Sequence, residues 1–136
     1  MVSLVVLAAA FVGTAGWAQS APKSVKGGVY SAAQAKRGED VTLEECSRCH
    51  SASLLGGENN TPPLTGEFFQ DKWNGMTLRD LFQKMYTTMP SDSPGRLSKS
   101  DYADVLAYVL SVNKYPAGPT DLKPDLDALA QIKIEP

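Results

Sequence analysis

Histidine occurs once in this chain of 136 residues, at His50, and cysteine twice, at Cys46 and Cys49. One imidazole excludes any centre built from several histidines, and one pair of thiols excludes a disulfide-dense scaffold. An excess of charge of either sign is also missing: 13 Lys and Arg oppose 15 Asp and Glu, a formal net charge of -2. That balance offers no grip on a phosphate backbone, so nucleic acid is not an expected partner. No apolar run reaches the roughly 20 residues needed to span a bilayer. No sustained alternation of apolar and polar residues marks a sheet, which leaves an all-α reading.

What is present begins with an uncharged apolar run, Leu4 to Val12, followed by Gly16-Trp17-Ala18. The small-x-small pattern after a short apolar stretch predicts a signal peptide over 1–18 and export to the periplasm, although the amino terminus supplies the only positive charge before the run. No membrane anchor is expected after cleavage. Residues 19–29, with Pro22, Gly27 and Gly28, read as a linker.

Three main helices follow. The first is predicted from Ser31, paired with Gln34 as a capping box, to about Arg48. The second starts at the Thr77 cap with Asp80 three residues on, places Leu78, Leu81, Phe82 and Met85 on one face, and ends before Pro90. The third begins at Ser98 with Asp101 and carries Tyr102, Val105, Leu106, Val109 and Leu110 in one stripe. Between them lie long loops, Ser51 to Thr65 and Pro90 to Leu97. A loop as long as the first needs an occupant. Residues 30–115 form the expected domain; 116–136, broken by Pro116, Pro119 and Pro124, read as an extension strapped on by Leu126, Leu129, Ile132 and Ile134.

The chemistry concentrates in Cys46-Ser47-Arg48-Cys49-His50. Two thiols three positions apart at a helix end, with an imidazole beside them, suit thioether attachment of one haem c, with His50 as proximal iron ligand. Zinc would need a fourth ligand that no other Cys or His supplies. A redox dithiol would sit in a βαβ pattern, and a plain disulfide leaves His50 and the long loop without a role. For the sixth iron position the methionines compete. Met85 falls on the apolar stripe and reads as core. Met89, biased out of helical geometry by Pro90, is preferred as ligand, with Met76 or an open site as alternatives. Trp73 is a further cofactor-binding candidate, its indole N–H a donor for a haem propionate; an ordinary core tryptophan is the competing reading.

Together these segments resemble a bacterial class I c-type cytochrome: Gly38 eight positions before Cys46, the Cys46–His50 motif, Pro62-Pro63-Leu64-Thr65-Gly66, Thr87-Thr88-Met89-Pro90 and Asp104-Val105-Leu106-Ala107-Tyr108. The resemblance implies a cytochrome c fold around a covalently bound haem. It implies that Gly38 permits a close helix crossing near Tyr108, that the Pro62 carbonyl accepts a hydrogen bond from His50, and that Leu64 covers the porphyrin. The tail from Asn113 looks like that of cytochromes associated with quinoprotein dehydrogenases. Thr42 departs from the pattern, since many relatives carry an aromatic there; Val41 and Leu43 are the candidates to compensate.

The expected function is that of a periplasmic one-electron carrier with His50 and Met89 as axial ligands, not an enzyme. It would take electrons from a periplasmic dehydrogenase and pass them to a terminal acceptor. The alternative is a haem protein with a labile sixth ligand that binds gases or reduces peroxide. Five basic residues between Asp71 and Lys99 (Lys72, Arg79, Lys84, Arg96, Lys99) against Asp71, Asp80 and Asp92 make a mildly positive band, which reads foremost as a solvated face.

Overall fold

Ser31 sits in extended geometry and its hydroxyl accepts from the Gln34 N–H, which satisfies one orphan donor and starts α1, Ala32–Glu45. Gln34 does not close a capping box. Its side chain is buried and instead bonds both backbone groups of Leu122, donating to the carbonyl at 2.9 Å and accepting from the N–H at 2.6 Å. The computed structural model describes residues 23–58 and 60–136, so the signal peptide expected over 1–18 lies outside the described residues.

The helix predicted to run to Arg48 is two helices. α1 stops at Glu45, Cys46 is its C-cap, and α2, Ser47–His50, follows at once. Next come α3, Gly66–Trp73, and α4, Leu78–Thr88, whose Thr77 and Asp80 bond each other's backbone in a complete capping box. α5, Lys99–Val112, is capped the same way by Ser98 and Asp101, and α6, Leu126–Ala130, is started by Asp125. Two short strands, β1 (Lys23–Ser24) and β2 (Ile132–Lys133), pair in parallel. Among the described residues the fold is all-α apart from this clasp, with α1, α4 and α5 as the three longest helices.

α1 lies across α5, and one residue sets the distance. A Cβ on Gly38 would stand 1.8 Å from the Asp104 carbonyl oxygen and 3.0 Å from the Tyr108 Cβ, so only glycine fits the crossing. Beside it Arg37 makes a two-pronged ion pair with the buried Asp104, at 2.9 and 3.2 Å, and reaches Asp121 of the tail at 2.7 Å. Thr42 is buried at the same interface, while Leu43 is 44% exposed and does not compensate for the missing aromatic; Val41 packs against the core from the side.

Residues 23–29, the described part of the stretch expected as a linker, are docked on the domain. Val25 is fully buried and β1 docks on β2, because the apolar side chain and the strand's backbone groups are both satisfied by the tail. The tail shares this core: Leu122, Leu129, Ile132 and Ile134 are buried together with Val25 and Tyr30. Its backbone also binds the turn after α3, where the Gly75 N–H donates to Ile134 at 2.8 Å and the Ile134 N–H donates to Met76 at 2.9 Å. The strap therefore fixes the joint between α3 and α4. Both helices carry walls of the site.

Candidate haem-binding site

A cavity of about 280 Å³ opens between α2, the 61–64 loop, α3, α4, the start of the 90–97 loop and α5. All seven sequence candidates line it: Cys46, Cys49, His50, Pro62, Leu64, Trp73 and Met89. Phe69, Leu81, Val105 and Val109 supply apolar wall, and Lys72 and Lys84 also border the cavity. Met76 lies elsewhere, 39% exposed beside the tail.

The break at Cys46 shapes the floor. Cys46 is half-buried and Cys49 exposed, and neither thiol is in a disulfide. Burial, with Glu45 adding to it, pushes the Cys46 thiol up to about 11, so it is held neutral at physiological pH. The chain then passes Ser51 in the left-handed region and turns back over itself. Gly57 permits that return, since a Cβ there would stand 2.0 Å from the Cys49 carbonyl oxygen.

His50 is buried, and its Nδ1 lies 3.0 Å from the Pro62 carbonyl oxygen. A carbonyl can only accept, so Nδ1 carries the proton and the lone pair is on Nε2. Pro62 is steadied in turn by its neighbours. The Leu64 N–H donates to the buried Leu54 at 2.8 Å, and the Asn113 amide at the end of α5 donates to the Leu64 carbonyl at 2.9 Å. Among the described residues no three His, Cys, Asp or Glu side chains gather as a metal-holding group, so one imidazole faces the cavity without the ligand set of a zinc centre.

Met89, also on the cavity wall, is the C-cap of α4 and extended (φ -126, ψ 151), so it has left the helical face that Leu78, Leu81 and Phe82 turn to the core. Met85, expected in that core, also lines the cavity one turn earlier and is only partly buried. The reason is the helix's position at the rim: its stripe is shared between core and cavity. Tyr102 is a site residue missed in the sequence. Its place on the apolar stripe of α5 was legible, but the hydrogen bond from its hydroxyl to the Met89 carbonyl, 2.6 Å, was not. Two ion pairs reach the loop after Met89, one from the motif, Arg48 to Asp92 at 2.6 Å, and one from the residue before it, Glu45 to Arg96. The second neutralises Arg96, one of the five basic residues of the positive band.

The donor set fits a haem: paired thiols, an imidazole with one nitrogen already engaged, a thioether and apolar walls meet around one cavity. Fold and site define a c-type cytochrome domain. Residues 33–109 match the family described as cytochrome c oxidase, cbb3-type, subunit III, and the chain belongs to that family, whose c-type domains bind haem c. No curated protein matches. Among solved structures the chain is similar to the sulfane dehydrogenase SoxCD from Paracoccus pantotrophus, at 18% identity and a TM-score of 0.53, over 73% of this chain and 52% of that one. The chain thus spans about half the length of that relative, and the likeness is one of fold. Among the described residues no helix is long and apolar enough to cross a membrane.

Proposed function

We propose that this chain is a periplasmic monohaem electron carrier, in which Cys46 and Cys49 anchor the haem through thioethers and His50 and Met89 are the axial ligands. The observation that carries this reading is the convergence of His50, with its Nδ1 engaged by Pro62, and Met89, released from α4, on one apolar cavity. When bound, haem supplies a one-electron ferric–ferrous couple.

The chain's own residues do the rest. Pro62 fixes the ring of His50 and makes Nε2 the more basic, as an outer acceptor does for a ligating imidazole. Phe69, Leu81, Val105 and Val109 exclude water, which disfavours extra charge in the cavity and favours the reduced state. Met89 would add a soft thioether that favours the same state, and with His50 and Met89 both holding the iron no reactant would reach it. A carrier of this kind meets its partners through small interfaces, below about 1,200 Å². A dehydrogenase as donor agrees with the kind of enzyme in which the similar fold occurs, and an oxidase as acceptor agrees with the family's description.

Replacing Met89 by Ala tests the reading. The variant should lose the sulfur-to-iron absorption band, bind carbon monoxide rapidly when reduced, and show a lower reduction potential. An unaltered spectrum in M89A would refute the assignment, and rapid carbon monoxide binding by the unmodified protein would favour the gas-binding alternative.

A further inference from the structure

We infer that Tyr102 is a positioning residue that holds Met89 toward the cavity through the Met89 carbonyl, an inference that rests on the reading of Met89 as axial ligand. Met89 is tied on both sides of its Cα. Its N–H donates to Met85 at 2.9 Å in the last turn of α4, and its carbonyl accepts from the Tyr102 hydroxyl at 2.6 Å and the Gly95 N–H at 3.3 Å. The tyrosine is 2% exposed, and a phenol hydroxyl taken out of water costs free energy unless it is bonded.

The hydroxyl is fixed independently of the bond it makes. The Tyr102 ring packs edge-on against Phe82 at 6.4 Å and Tyr86 at 5.4 Å, both on α4. A donor anchored in this way sets the Met89 carbonyl and is not itself set by it. The pairs Arg48–Asp92 and Glu45–Arg96 hold the far side of the same loop, but neither touches Met89. Among the described residues, Tyr102 is thus the α5 side chain that hydrogen-bonds the main chain of Met89. Without its hydroxyl the thioether samples more orientations, and an external ligand competes for the metal more easily.

Three variants of the full chain, matured with haem, test this. Tyr102→Phe keeps the ring in its cluster and removes only the bond. Tyr30→Phe removes a comparable buried bond, from Tyr30 to the Tyr115 carbonyl at 2.5 Å, on the tail side of the fold. Both should melt slightly earlier, which measures the structural cost. Only Tyr102→Phe should bind imidazole more tightly in the oxidised state, by about fivefold, the worth of one ordinary hydrogen bond, and it should weaken the sulfur-to-iron band. Equal imidazole affinity in the Tyr102 and Tyr30 variants, with Met89→Ala still opening the metal, overturns the inference alone. A Met89→Ala protein that binds imidazole no better than the parent removes the axial assignment and the inference with it.

Discussion

At Thr42 a hydroxyl is buried in the α1–α5 interface with no hydrogen-bond partner among the described residues. Leaving such a group dry costs about 1–3 kcal/mol in proteins, whereas a methyl in its place costs nothing in solvation. Valine has nearly the same shape and helix propensity, so the hydroxyl decides the sign. Thr42→Val should raise stability by about 1 kcal/mol and the thermal midpoint by a few degrees, read from urea and thermal melts. A loss of stability would mean that the hydroxyl has a partner in solution. The position was legible as a departure from the resembling family. That the cost is an unpaired hydroxyl, and not a gap filled by Leu43, became visible only with Leu43 seen on the surface.

Between elements, the α1–α5 crossing tolerates one residue at Gly38. Alanine would gain about 1 kcal/mol of helix propensity, yet its Cβ would collide with α5 backbone at 1.8 and 2.4 Å, and backbone cannot rotate away as a side chain can. Gly38→Ala should therefore lose about 2 kcal/mol net, an overpacking cost of about 3 kcal/mol less the propensity gain, and denaturant melts will read it. An equal stability would show that the helices part at no cost. The same comparison explains what could be read from sequence. α4 and α5 announce themselves through Thr77 with Asp80 and Ser98 with Asp101, where side chains do the capping. α3 was missed because its Thr65 cap makes no side-chain bond and only Phe69 and Trp73 of its eight residues are buried. The stop at Cys46 was missed as well, since neither glycine nor proline marks it. Candidate site residues with special chemistry, thiol, imidazole or a methionine before proline, stood out. Tyr102 did not, because a tyrosine on an apolar stripe looks the same whether or not its hydroxyl has a task.

Over the whole molecule, the tail joins remote parts through contacts with little sequence signature: backbone bonds at Gly75, Met76 and Leu122, and a charge cluster centred on Asp121. The Ser31 hydroxyl and then the Arg37 guanidinium hold the Asp121 carboxyl below its ordinary 3.8. Thr77 does the same for Asp80 at the cap of α4, and Arg48 for Asp92 beside the cavity. A carboxyl whose value is depressed in the fold binds its proton more readily when unfolded. Its stabilising contribution is therefore complete above 3.8 and drains away as pH falls through the lower folded value. Asp121 is exposed and its charge is screened, so buried aliphatics rather than this carboxylate carry most of the docking. The Asp121→Asn protein should accordingly melt slightly below the parent at pH 7, with the gap closing as both are taken well below pH 3.8. Adding salt at pH 7 should narrow the gap in the same direction. Thermal melts of both proteins across that pH range check this, and a gap that persists undiminished in acid would show that Asp121 acts through its shape and not its charge.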